Sequence, residues 1–155
     1  MLLTLVRASQ PHVAFLGRVP GTDQFSDIER HPDNVALPGV MAFRPEASVT
    51  YVNAEAIQGA VMARLDVAGG VPVRLVVCDL SASPHMDVAG ARMLEELAGA
   101  CAAKSVPFRI VGALGVVRDL LRNAGVAEKV GGLDRTRTLE SAVELVGPAA
   151  GAAHV

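Results

Sequence analysis

The sequence predicts an α/β fold: a mixed, largely parallel sheet with about four helices. Val73–Asp79 is a short, mostly apolar run of the kind found in a strand that helices cover on both faces. A polar loop follows it, and from Asp87 to Lys104 the apolar residues recur at helical spacing. Strand and helix patterns then keep alternating along the chain, which favours right-handed crossovers and parallel strands.

The first third of the chain predicts strands that no helix separates. His12–Val19, Gly39–Phe43 and Val49–Val52 have strand patterns, and turns or loops join them. Strands connected in this way can pair antiparallel, so we expect them at one edge of the sheet. The polar stretch Gln24–Pro38 is expected to be an ordered surface loop rather than a strand.

The helices are predicted from their caps and apolar stripes. The carboxylate of Asp87 suits an N-cap, because it accepts hydrogen bonds from the free N–H groups of a first turn and faces the positive end of the helix dipole. Pro107–Gly112 is the next strand, Gly125 is a natural stop for the third helix, and Val126–Val130 is a short strand or a turn. Asn53, Asp87 and Thr138 are the expected N-caps of three helices, and the apolar stripe of Val117, Leu120, Leu121 and Ala124 marks the remaining one.

Composition bounds the class of protein. The chain has 155 residues, of which 51% are hydrophobic and 3% aromatic, so we expect one domain with a core of Val, Ala and Leu. A net charge of −2 gives no electrostatic reason to expect nucleic acid as a partner. Cys78 and Cys101 fall on apolar faces and are expected to be reduced core residues. No continuous apolar stretch reaches the length of a membrane helix.

The sequence lacks the motifs of catalysis and cofactor binding. The histidines His12, His31, His85 and His154 have no metal-ligand spacing, and neither a nucleophile elbow nor a Walker-type phosphate loop occurs. Gly112–Gly115 follows a strand and opens a helix, which favours a tight turn over a dinucleotide site. We therefore expect no enzyme activity, no catalytic residue, no cofactor and no metal site.

Three segments carry a resemblance to a known family. Val76–Leu97 (V-V-C-D-L-S-A-S-P-H-M-D-V-A-G-A-R-M-L-E-E-L) resembles the signature of STAS domains, which bacterial anti-sigma-factor antagonists share with the cytoplasmic tails of SulP-type anion transporters. Leu16–Phe25 (L-G-R-V-P-G-T-D-Q-F) resembles the start of a SulP STAS domain. Pro38–Glu55 (P-G-V-M-A-F-R-P-E-A-S-V-T-Y-V-N-A-E) resembles a segment of the same SulP branch.

The resemblance implies the STAS fold and a place in a larger protein. Residues 11–147 would form the STAS domain, residues 1–10 a short helix or a linker from an upstream membrane segment, and residues 148–155 a flexible tail. The domain would follow the last membrane helix of a sulfate or other anion permease, on the cytoplasmic side of the inner membrane. Its implied role is regulatory, through binding to the transport domain, a second copy or a soluble partner. Nucleotide and acyl carrier protein are further ligands that the resemblance suggests.

One departure separates the two branches of the family. In the antagonists, a serine directly after the loop aspartate accepts phosphate from a kinase partner. Here Asp87 is followed by Val88, which has no hydroxyl, so phosphorylation at the matching position is chemically impossible. This favours the transporter branch, and a free-standing antagonist-like signalling protein is the alternative.

The expected partner surface is the loop Leu80–Met86 together with the start of the following helix, Asp87–Arg92. Ligands and partners of α/β sheets usually bind at the carboxyl ends of strands. Helix N-termini are the physically sensible places for a nucleotide or anion, and the negative charge of Asp87 leaves Asn53 and Gly115 as the candidates. The expected partner-binding residues are Ser81, Ser83, His85, Asp87, Val88 and Arg92.

Overall fold

Five strands and four helices make up the part of the chain that the computed structural model describes, residues 12–67 and 70–147. The strands are β1 (Val13–Arg18), β2 (Phe25–Asp27), β3 (Val40–Pro45), β4 (Leu75–Asp79) and β5 (Phe108–Val111). The helices are α1 (Ala54–Asp66), α2 (Val88–Ala103), α3 (Gly115–Asn123) and α4 (Leu139–Glu144), with a 3₁₀ turn at Glu128–Val130. The expectations for residues 1–10 and 148–155 lie outside the described residues.

The strands form one mixed sheet in the order β2-β1-β3-β4-β5. β1 pairs antiparallel with both β2 and β3, and Phe15 lies opposite Phe43. β3, β4 and β5 are parallel neighbours, with Cys78 between Phe43 and Ile110. The predicted α/β class, with antiparallel opening strands at one edge, is confirmed.

The sheet separates two cores. On one face, Val76 and Cys78 of β4 join the apolar stripes of α1, α2 and α3 in the larger core. On the other face, Leu75 and Val77 join Leu139 and Ala142 of α4 and residues of β1, β3 and β5. This burial on both faces explains why β4 is continuously apolar. Both cysteines are free and buried in the larger core, where burial raises the pKa of each thiol.

The prediction of a loop without a strand at Gln24–Pro38 is wrong. This stretch contains β2, and Val35 pairs with Arg18 in an isolated antiparallel bridge. Two of its polar side chains, Asp27 and Asn34, are buried, and Asn34 donates to the carbonyl and hydroxyl of Ser26 at 3.1 and 2.7 Å. The carboxylate of Asp27 lies 2.7 Å from the His12 ring and accepts from the backbone of Glu29, so its burial is compensated.

The third predicted strand, Val49–Val52, is also wrong. Val49 forms only an isolated bridge with Met86, and the following residues turn into α1, whereas β3 continues to Pro45. Asn53 stands at the N-cap position of α1 but does not cap it with its side chain. That side chain instead accepts from the N–H of Thr50 and donates to the carbonyl of Ser48, which stabilises the preceding turn.

The remaining boundaries follow the sequence closely. Asp87 and Thr138 cap α2 and α4 with their side chains as predicted, and the left-handed backbone of Gly125 (φ 76°) follows the end of α3. α3 begins at Gly115, two residues before its first buried residue, Val117. Of the two alternatives for Val126–Val130, the turn is the one observed.

Two glycines of α2 make a matched test of how closely this helix packs. A Cβ on Gly90 would lie 2.6 Å from the carbonyl oxygen of Val49, whereas a Cβ on Gly99 would meet nothing within 4 Å. We expect Gly90→Ala to lower the free energy of unfolding by about 1–3 kcal/mol, because the backbone has to move. Gly99→Ala is expected to raise it by about 0.5–1 kcal/mol through helix propensity. Urea denaturation of both variants measures the difference, and equal stabilities would contradict the packing.

Candidate partner-binding surface

The loops that follow the three parallel strands lie at one edge of the sheet. Parallel strands end at the same edge, so residues 46–53 after β3, 80–92 after β4 and 112–116 after β5 are neighbours there. We refer to these three segments as the strand-end surface. It contains every site residue that the sequence predicted, including both candidates for anion binding.

Asp87 holds two of these segments together. One oxygen of its carboxylate accepts from the N–H of Gly90 at 2.9 Å, and the other accepts from the N–H of Tyr51 at 2.8 Å. These two hydrogen bonds lower the pKa of the carboxyl group, and the first is a helix N-cap. The backbone adds two more bonds, from Asp87 N–H to the Val49 carbonyl and from Val49 N–H to the His85 carbonyl. The loop after β4 is therefore fixed to the segment after β3.

Ser83 does not belong to the accessible part of this surface. Its side chain is completely buried, and its hydroxyl donates to the carbonyl of Ala47 at 2.8 Å. The side chain thus supports the loop from below, and we exclude it from the residues that a partner would contact. Ser81, His85 and Arg92 are exposed.

Asp79 and Gly112 fix the ends of the neighbouring strands β4 and β5. The Asp79 carboxylate accepts from the N–H of Ser81 at 2.9 Å and lies 3.8 Å from the guanidinium of Arg44. Gly112, at φ 70°, passes so close that a Cβ would lie 2.6 Å from an oxygen of Asp79. Only glycine accommodates both this backbone conformation and this approach. The ends of β4 and β5 are therefore held in contact.

Most of the large exposed apolar side chains lie on the strand-end surface. Five of the nine large hydrophobic residues that are exposed in the described part of the chain lie on it. They are Tyr51 (78% exposed), Val52 (65%), Val88 (61%), Leu114 (46%) and Val116 (64%). Such a concentration of apolar groups is typical of a surface that a partner covers.

Four of these five residues are absent from the sequence-based site. Tyr51 and Val52 belong to the segment for which the sequence predicts a strand, where their apolar character suggests burial. Leu114 and Val116 flank Gly115 and lie off the buried stripe of α3, formed by Val117 and Leu121. That offset from the stripe is the signal in the sequence that identifies them as exposed.

The two candidate anion sites differ in their surroundings. The side chain of Asn53 is occupied by its hydrogen bonds with Thr50 and Ser48. Gly115 is exposed at the start of α3, and a guanidinium nitrogen of Arg118 lies 3.8 Å from where its Cβ would be. That guanidinium also donates to the carbonyl of Ala113 at 2.5 Å. Of the two, Gly115 has the more positive environment.

The sequence profile of the STAS domain matches residues 31–144, about three quarters of the chain. The chain belongs to the STAS domain family. Sulfate transporter 2.1 of Arabidopsis thaliana is 29% identical over 133 residues, which cover 79% of this chain and 20% of that protein. A probable sulfate transporter of Mycobacterium tuberculosis is 26% identical over 144 residues, which cover 93% of this chain and 26% of that protein. The chain thus spans about a fifth to a quarter of the length of these curated relatives.

Solved structures share the fold of this STAS domain. The inward-facing murine anion transporter Solute Carrier 26 family member A9 superposes with a TM-score of 0.74 at 17% identity, over 92% of this chain and 23% of that one. A putative anti-sigma factor antagonist from Thermotoga maritima gives a TM-score of 0.60 at 18% identity, over 70% of this chain and 87% of that one. Both branches of the family therefore have this architecture. Among the residues described here, no helix combines the length and apolarity needed to span a membrane.

The Asp87 carboxylate makes the stability of the STAS domain sensitive to acid. Because the folded-state pKa lies below the ordinary value of 3.8, ionised Asp87 stabilises the fold above that pH. This contribution is lost as the pH falls through the lowered pKa of the folded state. We expect Asp87→Ala to cost about 1–2 kcal/mol at pH 7, because the cap and the bond from Tyr51 are both lost.

Asp87→Asn is the matched control, since asparagine caps helices about as well as aspartate but does not titrate in this range. It should retain most of the stability at pH 7 and lose less of it than the wild type as the pH falls. Urea denaturation at several values between pH 3 and pH 7 measures both effects. Parallel pH profiles for wild type and Asp87→Asn would contradict the role of the charge.

Proposed function

We propose that this STAS domain is the non-catalytic, regulatory domain of a SulP-type transporter of sulfate or a related anion. Two named sulfate transporters are similar over most of this chain, and each extends well beyond the matched region. A domain of the same fold occurs within the murine anion transporter. In this proposal the domain lies on the cytoplasmic side of the inner membrane and binds the transport domain of the same polypeptide or complex.

The apolar strand-end surface is the observation that carries the proposal. Its exposed residues, among them Tyr51, Val88 and Val116, come from three different segments of the chain. Two of the three segments are fixed to each other by the hydrogen bonds of Asp87 and Ser83, and Gly112 of the third packs closely against Asp79. A preformed apolar surface loses little conformational entropy when a partner covers it. Binding that differs between transport states would shift the populations of those states.

The alternative role, a phosphorylation-controlled antagonist, has less support. The residue after Asp87 is Val88, which is 61% exposed at the start of α2 and has no group to accept a phosphate. The same side chain does suit an apolar contact. This position therefore favours constitutive apolar binding over a kinase-controlled switch.

Introducing a negative charge on the strand-end surface tests the proposal. Val88→Glu and Val116→Glu each place a carboxylate on an exposed apolar position, so the stability of the fold should change little. Binding of the 155-residue chain to vesicles that contain the transport domain is expected to weaken about tenfold for each, because the new charge would be desolvated. Sedimentation of labelled chain with the vesicles measures the affinity.

Val67→Glu provides the matched control, since Val67 is 79% exposed at the end of α1, away from the strand-end surface. This variant should bind as the wild type does. Thermal unfolding of all three variants verifies that the fold is retained. Equal binding by Val88→Glu, Val116→Glu and Val67→Glu would exclude the strand-end surface as the interface.

A further inference from the structure

Three arginines surround a cavity at the opposite edge of the sheet. We propose that this cavity binds a tetrahedral oxyanion, a phosphate or a sulfate, carried on a small apolar organic group. The cavity has a volume of about 450 Å³. We call it the arginine cavity, and its lining includes Arg74, Arg109, Arg137, Leu75, Leu145 and Val146.

The strands and α4 determine where the arginine cavity lies. Leu75 is the first residue of β4, and Pro107 of the cavity wall immediately precedes β5, so the cavity lies at the amino ends of these strands. Along β5, Phe108 and Ile110 enter the larger core, which leaves Arg109 on the face that α4 covers. The cavity is therefore separate from the strand-end surface.

The three guanidinium groups have unused hydrogen-bonding capacity. Each donates to one backbone carbonyl: Arg74 to Val146 at 3.4 Å, Arg109 to Phe108 at 2.9 Å and Arg137 to Gly131 at 3.1 Å. A guanidinium has five N–H donors in a planar fork, so most of the donors are left for a ligand.

Within residues 12–67 and 70–147, no carboxylate forms an ion pair with Arg74, Arg109 or Arg137. All sixteen acidic side chains of the sequence lie within these ranges. Four other arginines do have such partners: Arg18, Arg44, Arg64 and Arg122. The charge of Arg137 contributes to lowering the pKa of Asp134, but the Asp134 carboxylate is exposed and already accepts hydrogen bonds from Thr136. The positive charge of the cavity is therefore available to an anion.

Two glycines make room for two of the arginines. A Cβ on Gly39 would lie 2.8 Å from Nε of Arg74, and a Cβ on Gly131 would lie 2.6 Å from the guanidinium carbon of Arg109. Both glycines have left-handed backbone conformations, with φ of 74° and 71°. The close backbone packing restricts where these long side chains can lie, which lowers the entropy lost when they bind a ligand.

The shape and polarity of the cavity define the class of ligand. A guanidinium matches the oxygens of a phosphate or sulfate in a bidentate manner. A volume of about 450 Å³ is in the range of small-molecule pockets and much larger than a bare anion needs. The apolar side chains of Leu75, Leu145 and Val146 would contact the organic part. An aryl or alkyl ester of phosphate or sulfate satisfies both requirements.

Phenyl phosphate is the probe, titrated calorimetrically into the full 155-residue chain. Saturable binding is expected, and inorganic phosphate and inorganic sulfate should bind about tenfold more weakly because they lack the apolar contact. Arg74→Gln, Arg109→Gln and Arg137→Gln should each weaken phenyl phosphate binding about tenfold. Arg135→Gln, which changes an exposed arginine outside the cavity wall, should bind normally.

Nuclear magnetic resonance of the wild-type chain gives an independent readout that needs no variant to fold. Phenyl phosphate should shift the guanidinium N–H signals of Arg74, Arg109 and Arg137 and the amide signals of Gly131 and Val146. Absence of saturable binding at millimolar phenyl phosphate overturns the proposal. So does binding that shifts signals elsewhere, or that Arg135→Gln weakens as much as the three cavity variants do.

Vesicles containing phosphatidic acid distinguish a lipid headgroup from a free ester. If the wild-type chain sediments with these vesicles and the Arg109→Gln and Arg137→Gln variants do not, the site is assigned to a headgroup. Phenyl phosphate binding without sedimentation would assign it to a soluble ester. Either assignment requires the saturable binding of phenyl phosphate described above, and sedimentation without that binding overturns the proposal.

Discussion

The burial of β4 on both faces is the constraint on which the rest of this structure depends. Its residues alternate between the larger core and the core beneath α4. β3, β4 and β5 lie side by side in chain order, so right-handed crossovers place α1 and α2 on the same face. The other face then has to be covered from elsewhere in the chain, and α4 supplies that cover. Because α4 has only six residues, it leaves part of this face open, and the arginine cavity lies at that margin.

The two edges of the parallel strands have different chemistry. At the carboxyl edge, the loops are held together by Asp87, Asp79 and Ser83, and their exposed side chains are largely apolar. At the amino edge, three arginines are held over a half-apolar cavity. The carboxyl edge thus suits a protein partner, which supplies apolar area, and the amino edge suits a small anion, which supplies charge. A single sheet of five strands presents both.

Local signals made the central part of the fold predictable. The continuous apolar run of β4, the capping aspartate of α2 and the apolar stripe of α1 each specify an element within one stretch of chain. Of the opening strands, the sequence predicts β1 and β3 close to their observed positions but does not predict β2. β2 has three residues and depends on its pairing with β1 and on buried polar groups such as Asn34, which the sequence presents as ordinary loop residues. Val49–Val52 has a strand pattern but no neighbouring strand to pair with beyond one bridge.

The candidate site was predictable to the same degree. Asp87 and Val88 were identified because the cap and the family signature occupy one segment. Tyr51 was missed because its position depends on a hydrogen bond to Asp87, 36 residues away in sequence. The burial of Ser83 likewise depends on Ala47, which no local pattern links to it. The convergence of Arg74, Arg109 and Arg137 involves three segments that only the tertiary fold brings together.

The stiffness of β4 limits how the two edges of the sheet can influence each other. β4 has five residues, and both its faces are packed into cores, so it connects the arginine cavity to the strand-end surface as a stiff element. Coupling between two sites requires an element with two arrangements that both ligands bias. The bonds of Asp87 and the contact of Gly112 with Asp79 hold a single arrangement at the carboxyl edge. Under the proposed function, a bistable element would therefore lie at the contact between this domain and a transport domain rather than within the sheet.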